Sequence, residues 1–221
     1  MNTPSSHYAR RLPLPHRNRF EFFVKRSSEQ LRFLLWIDAV GGYWVCGGDE
    51  VMIGQPSPGD DVDLPILADL SRRHAIVRRD GEGYLLQPLR EVRLNGVVQT
   101  TPVWLTNGSV IEMGAVRLQF TRPHPLSATA RLDFLSRHRT SPPTDGVLLL
   151  AETCVLGPRA SSHVVCRNWT QEIVLHRQGD QLFCRGPSEM QIGGVPAAGR
   201  GVLDLNARVT GGDFSFSLEA V

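Results

Sequence analysis

The spacing of the turn signals limits this chain more than any other feature. From Leu31 onward the apolar residues come in short runs or in alternation, and Gly, Asn-Gly or Asp-Gly closes each run within a few residues. An amphipathic helix needs an apolar stripe sustained over about 10–12 residues, whereas a strand needs only about 4–8. Leu31 to Val40 reads as a strand, Gly41-Gly42 as a hairpin turn and Tyr43 to Cys46 as the returning strand. Val51 to Ile53 is a third strand, ended by Gly54, and Gln55 to Asp63 is a loop. His74 to Arg79 alternates, stops at Asp80-Gly81, and Tyr84 to Gln87 pairs back. Val92 to Leu94 stops at the tight-turn dipeptide Asn95-Gly96. Val97-Val98, Val103 to Leu105, Val110 to Met113 and Val116 to Phe120 follow, with Asn107-Gly108 and Gly114 between the later ones. The expected fold class is all-β, a sandwich of two sheets.

Pro123 to Pro143 breaks this pattern. It opens on Pro-His-Pro and closes on Ser-Pro-Pro-Thr, and between them lies Ser127 to His138 with apolar residues at Ala128, Leu132 and Leu135. The segment reads as a linker, its centre either a short helix capped by Ser127 or extended chain. From Gly146 to Val221 the β pattern returns and repeats the first one. Ile76 to Leu86 lies over Val174 to Cys184, and the same offset carries Asn95-Gly96 onto Gly193-Gly194, Leu105 onto Leu203, Ile111 onto Val209 and Gly114 onto Gly212. Val51 to Gly54 matches Cys154 to Gly157 when the second loop is shortened. The expected organisation is a disordered tail at 1–19, rich in Arg and Pro, a sandwich at 20–122, a linker at 123–143 and a second, degenerate sandwich at 144–221.

The totals exclude several classes. The 24 basic and 22 acidic residues nearly cancel, leaving +2, so no nucleic-acid partner is expected from bulk charge. The arginines gather locally instead, at Arg72-Arg73 and Arg78-Arg79, which suits a small anionic group. Cys46, Cys154, Cys166 and Cys184 form no Cys-x-x-Cys pair and have no His at zinc spacing, so they read as buried reduced thiols, with a disulfide left open. No metal or cofactor is expected. The longest apolar run, Gly146 to Ala151, has strand length, so no membrane partner is expected and a cytoplasmic location is.

Three loop features carry chemistry. Ile53-Gly54 ends a strand, Leu70-Ser71-Arg72-Arg73-His74-Ala75 enters one, and Asn95-Gly96 makes a tight turn. Strand ends of a sandwich gather at one rim. Ser71 offers a hydroxyl and backbone N–H groups, Arg72 and Arg73 offer charge-assisted donors to a phosphate dianion, and the Asn95 amide both donates and accepts.

These residues in this order resemble the forkhead-associated (FHA) family. The resemblance runs from about Leu31 to Phe120 and includes Asp61 to Leu64 and the stretch from Leu105 to Gly114. It implies a sandwich whose apical loops bind phosphothreonine peptides without catalysis. By family role Ser71 bonds the phosphate, Arg72 contacts the phosphate or peptide backbone, and Asn95 holds the peptide backbone. His74 fixes the binding loop, and Gly54 and Gly96 shape their turns. The family pattern places Arg after Ile-Gly as a phosphate contact, and here Gln55 stands. Hydrogen bonds to charged groups contribute roughly 1.5–3 kcal/mol, so the exchange weakens binding about tenfold or more unless Arg73 compensates. The second half reads Trp169-Thr170-Gln171-Glu172 where the first has Ser71 to His74, and Pro158 follows Leu156-Gly157.

The expected function is therefore a phosphothreonine-binding signalling or scaffold module, not an enzyme, with a Thr-phosphorylated protein as partner. The alternative is a phospho-independent interaction or structural protein that keeps the fold, for which Gln55 and the altered second half speak. A hydrolase using Ser71 and His74 lacks a Gly-x-Ser-x-Gly elbow, and Asp60-Asp61-Val62-Asp63 lacks the closing Glu of a calcium loop. Trp169 reads as core or inter-domain packing.

Overall fold

Alternation along each strand decides which side chains are buried, and in this protein it builds two cores on one shared sheet. The computed structural model describes residues 31–59, 62–179 and 181–221. The expected tail at 1–19 and the expected domain start at Phe20 lie outside them. The first half holds β1 (Arg32–Ile37), β2 (Gly41–Cys46), β3 (Glu50–Gly54), β4 (Leu64–Pro65), β5 (Ala75–Asp80), β6 (Gly83–Pro88), β7 (Val92–Leu94), β8 (Val97–Gln99), β9 (Val103–Leu105), β10 (Val110–Met113) and β11 (Val116–Thr121). The second holds β12 (Ala130–Phe134), β13 (Gly146–Leu149), β14 (Thr153–Gly157), β15 (Val164–Val165), β16 (Ile173–Gln178), β17 (Gln181–Arg185), β18 (Gln191–Ile192), β19 (Val195–Pro196), β20 (Arg200–Leu203), β21 (Arg208–Thr210) and β22 (Ser215–Ala220). The described residues contain no helix. The fold is all-β.

One 12-stranded sheet runs β19-β18-β21-β22-β1-β2-β13-β12-β11-β10-β7-β8. A five-stranded sheet, β4-β3-β5-β6-β9, covers one arm, and another, β15-β14-β16-β17-β20, covers the other. The second half thus repeats the strand plan of the first. The large sheet is the same list read from either end, with β12-β13 answering β1-β2.

The middle strands explain the arrangement. Successive side chains on a strand point to opposite faces. Leu34, Trp44, Cys46, Val147 and Leu149 enter the first core, while Phe33, Leu35, Ile37, Val45 and Leu148 enter the second. The two small sheets therefore lie on opposite faces of the large one, and β1, β2 and β13 are buried on both. Burial on both faces requires continuous rather than alternating apolar sequence, which Phe33 to Ile37 and Val147 to Ala151 supply. Each fully buried Leu, Ile or Phe contributes about 1.5–3 kcal/mol relative to exposure.

The strand pairing also crosses between halves. β1 pairs antiparallel with β22, the last strand of the chain, aligning Leu35 with Leu218. β12 pairs in the same way with β11, aligning Leu132 with Phe120. β2 and β13 meet in parallel at the centre, with Tyr43 beside Gly146. The opening hairpin of each half thus closes the sheet arm of the other, and Ala130 and Leu132 fill the first core while Phe33, Leu35 and Ile37 fill the second.

Two expectations change. The linker at 123–143 contains β12, whose Ala130 and Leu132 are fully buried, so the sheet is continuous across the expected boundary between 122 and 144. Of the three apolar residues read there only Leu132 lies in the strand, whose inward face is the alternating pair Ala130 and Leu132. The hairpin turn expected at Gly41-Gly42 sits instead at 38–40, with Ala39 in the left-handed region at φ 61°. Gly42 lies inside β2, where a Cβ would fall 2.2 Å from the Trp36 ring. Gly54 does end β3, and Trp169 is buried against Phe214 and Phe216.

Candidate functional site

The first core's small sheet sets one rim. β3 and β5 are antiparallel with Ile53 beside Ala75, and β5 and β6 place Ala75 beside Pro88. The loops after β3, before β5 and after β6 therefore emerge together. Gly54 lets the first two touch: a Cβ there would lie 1.9 Å from the Arg72 carbonyl oxygen. The Gln55 N–H donates to the Ser71 carbonyl at 3.2 Å.

His74 is the clasp of this rim. Its backbone N–H donates to the Ile53 carbonyl at 2.9 Å, and its carbonyl accepts from Leu89 N–H and Arg90 N–H, each at 3.0 Å. The ring is buried at 7% exposure. Nδ1 accepts from the Ser71 N–H at 3.3 Å, which leaves the proton on Nε2 to be donated to the Glu91 carbonyl at 3.0 Å. One neutral imidazole thus fixes the Ser71 loop to the β6–β7 loop. With both nitrogens occupied, His74 has no free lone pair to act as a general base on Ser71. Around it Ser71 is half-buried, and Arg72, Arg73 and Gln55 are exposed. Neither Arg72 nor Arg73 has a carboxylate partner among the described residues.

Asn95 and Gly96 are not part of this rim. They form the β7–β8 turn, with φ 52° and 82°, at the far end of β7 from Glu91. Four residues of extended chain separate Asn95 from Glu91, roughly 13 Å. The Asn95 Oδ1 accepts from the Val110 N–H at 2.8 Å, and its own N–H donates to the Val110 carbonyl at 2.8 Å. Asn95 is therefore a turn residue tied to β10, not a peptide-holding group beside Ser71. The loop that does border Ser71 after β6 presents Arg90 and Glu91, which sequence reasoning missed. The signal was available: a hairpin dipeptide between Val92–Leu94 and Val97–Val98 cannot also be the loop that precedes Val92.

The other sequence candidates fall elsewhere. Arg78 pairs with Glu50 at 2.5 Å and Arg79 pairs with Asp49, so that cluster is neutralised across β3 and β5. Asp60 and Asp61 lie outside the described residues. Asp63 accepts from the Met52 N–H at 2.8 Å, and no group of three or more metal-ligating side chains occurs among the described residues. The four cysteines are free and buried. Burial pushes the thiols up, to about 12 for Cys154, Cys166 and Cys184, which leaves them poor nucleophiles.

The second half turns its equivalent loops to the same end of the molecule, because β2 and β13 run parallel. There Trp169 is buried at the position of Ser71 and Glu172, at the position of His74, pairs with Arg159 at 3.4 Å, while Arg167 and Thr170 of that loop are exposed. A cleft of about 700 Å³ opens among Asp38, Val40, Arg167, Asn168, Asp213 and Phe214. The β1–β2 turn beside it is short, whereas in the first half the long connection from 135 to 145 packs on Pro65 and Leu67.

The molecule thus pairs a β-sandwich with a polar, cationic loop rim held by a buried histidine. Residues 51–114 match the model of the FHA domain family, so the chain carries an FHA domain over that stretch. Among solved structures, one described as a structural and functional analysis of phosphothreonine-dependent FHA domain interactions is 28% identical, over 43% of this chain and 100% of that one, with a TM-score of 0.32. Mycobacterium tuberculosis EmbR, in complex with a low-affinity phosphopeptide, is 25% identical with a TM-score of 0.32, over 43% of this chain and only 26% of its own. The N-terminal FHA domain of EssC, a component of the bacterial type VII secretion apparatus, is 19% identical over 52% of this chain and 55% of that one, with a TM-score of 0.30. No curated protein matches the chain.

Proposed function

We propose that the protein is a non-catalytic phosphothreonine-peptide-binding module of a signalling or scaffold kind. The observation that carries this reading is the His74 clasp, which presents Ser71, Arg72 and Arg73 on a solvent-facing rim without internal carboxylate partners. The Ser71 hydroxyl and the two guanidinium groups supply charge-assisted donors for a phosphate dianion. Gln55, beside Ser71, adds a neutral donor only. Arg72 and Arg73 are exposed rather than covered by the second half, which favours ligand binding here over a purely structural role. The second half is proposed to be a degenerate repeat of the same domain, lacking a phosphate site. No helix among the described residues is long and apolar enough to cross a membrane, and a cytoplasmic location belongs to this proposal.

The test is calorimetric titration of the full chain with a library of peptides carrying a central phosphothreonine, each beside its unphosphorylated counterpart. Phosphorylated members should bind at least tenfold more tightly, and Ser71→Ala and Arg72→Ala should each remove most of that difference. Equal affinity for the two sets overturns the reading.

A further inference from the structure

We propose that the partner segment is a phosphothreonine embedded in an acidic stretch, read by a row of arginines that three loops contribute, one of them from the second half of the chain. The inference rests on the phosphopeptide reading and specifies its ligand.

The row starts beside the clasp. Arg90 is exposed, its backbone N–H is held 3.0 Å from the His74 carbonyl beside the Ser71 loop, and its guanidinium donates to the Leu89 carbonyl at 2.9 Å. On the other side the connection from 135 to 145 lies against the start of the same loop. The Leu67 N–H donates to the Arg139 carbonyl at 2.9 Å, the Ser141 N–H to the Pro65 carbonyl at 3.0 Å, and Ile66 bridges Thr140. This places Arg139 beside Leu67, four residues along a bent stretch from Ser71 and so no more than about 13 Å from it, with Arg137 two residues further along the connection. Both are exposed, and Arg139 rests over the Phe134 ring at 5.9 Å.

Arg72, Arg73, Arg90, Arg137 and Arg139 thus flank Ser71 with no ion pair among the described residues. The described carboxylates on these loops are few and largely engaged. Glu91 pairs with Arg93 at 3.3 Å, and the Asp145 carboxylate accepts from the Gly42 N–H at 2.9 Å. Asp69 is the remaining one. The protein as a whole is nearly neutral, at +2, so this is a local field rather than a general one. Such a field favours an anionic strand on both sides of the phosphate and disfavours a basic one. An extended peptide rising about 3.3 Å per residue covers Ser71 to Arg139 with about four residues or fewer. The short, discontinuous row fits a peptide better than a nucleic-acid backbone.

The experiment uses the full chain and three phosphothreonine peptides of equal length, flanked by Glu and Asp, by Ala, or by Lys, each with its unphosphorylated form. Fluorescence anisotropy at 0.1 M NaCl should show the acidic peptide binding about tenfold more tightly than the Ala one, and the Lys one more weakly than both. Raising the salt to 1 M should compress the difference to less than threefold, since exposed charges are then screened within about 3 Å. Arg90→Ala, and separately Arg137→Ala with Arg139→Ala, should each shrink the acidic advantage at unchanged thermal midpoint while the Ala-flanked peptide keeps its preference for phosphate. Equal binding of acidic and Ala flanks, or an acidic advantage that survives in both variants, overturns the inference while phosphate discrimination leaves the function standing. Loss of phosphate discrimination in every peptide set fails the function itself. A single-stranded DNA oligonucleotide that competes as well as the acidic phosphopeptide also overturns the inference.

Discussion

Leu132→Ala tests whether the two halves form one body. Leu132 sits in a segment whose composition is that of a linker, yet it is 0% exposed and lies between Phe120 of β11 and Val147 of β13. Truncation removes about three buried carbons, worth roughly 2 kcal/mol at about 0.8 kcal/mol per methylene. The cavity left between β11 and β13 adds to that, giving about 3 kcal/mol within the range of about 2–5 for such sites. With a urea slope of about 2 kcal/mol/M, the midpoint should fall by about 1.5 M. The thermal midpoint should fall by about 6–12 °C for a chain of this size. Trp44 reports the first core and Trp169 the second, so fluorescence and far-ultraviolet dichroism should move together. Leu126→Ala is the control, because Leu126 is 89% exposed in the same segment and should change stability by less than about 0.5 kcal/mol. If Leu132→Ala behaves like Leu126→Ala, the segment is a linker and the continuous sheet is wrong.

Three further outcomes follow from particular residues. Asn95→Ala removes the bond to Val110 and puts Ala at φ 52°, so it should cost about 1–2 kcal/mol in urea unfolding yet leave phosphopeptide affinity within twofold. Gly54→Ala should do the reverse in emphasis: a Cβ 1.9 Å from the Arg72 carbonyl must push the Ser71 loop away, and titration should show affinity lost by more than tenfold. Burial, with His124 and Arg131 alongside, holds the His163 imidazole down to about 4. Unfolded histidine titrates near 6.5, so the unfolded chain binds the extra proton between these values. Stability present above pH 6.5 is therefore lost as pH falls through 4, by on the order of 3 kcal/mol. Urea midpoints from pH 7 to pH 4 should show this slope, and His163→Asn, which keeps an acceptor for the Val155 N–H, should flatten it.

Strand content and turn positions were legible because each depends on neighbours in sequence. Alternation in Val110 to Met113 and Val116 to Phe120 states which face is buried, and Asn95-Gly96 states where a hairpin closes. What was not legible depends on long-range pairing. Ala130 and Leu132 are inward because β11 and β13 flank them; the local alternation of Ala128, Ala130, Leu132 and Phe134 permits a strand but does not say which sheet it joins. A further hint was the unbroken run Val147 to Ala151, too apolar for a strand with one wet face. The site divides along the same line. Ser71, Arg72 and Gln55 were readable because the dipeptide and hexapeptide around them fix local shape. Arg90 was not, since its place comes from the hydrogen bonds that the Leu89 and Arg90 N–H groups donate to the His74 carbonyl, which no spacing in the sequence reveals.

On the proposed function, the pairing also explains how the second half can lack the site chemistry without cost to the first. Trp169, Thr170, Gln171 and Glu172 occupy loop positions that touch only the second rim, so their identity leaves the His74 clasp unaltered. β12 and β13 are under a different constraint. They place Ala130, Leu132, Val147 and Leu149 in the first core, and the connection between them braces Pro65 and Leu67 at the start of the Ser71 loop. A change that abolished phosphate chemistry in the second half would cost the first nothing, whereas a polar residue at Leu132 or Val147 would leave a buried group unpaired in the first core. On the proposed function, the second half serves the site through its hairpin and the arginines of its connection rather than through its own loop tips. Cutting the chain at residue 122 should accordingly leave β11 with an open edge and the Ser71 loop unbraced, and such a fragment should bind the phosphopeptide library more weakly than the full chain.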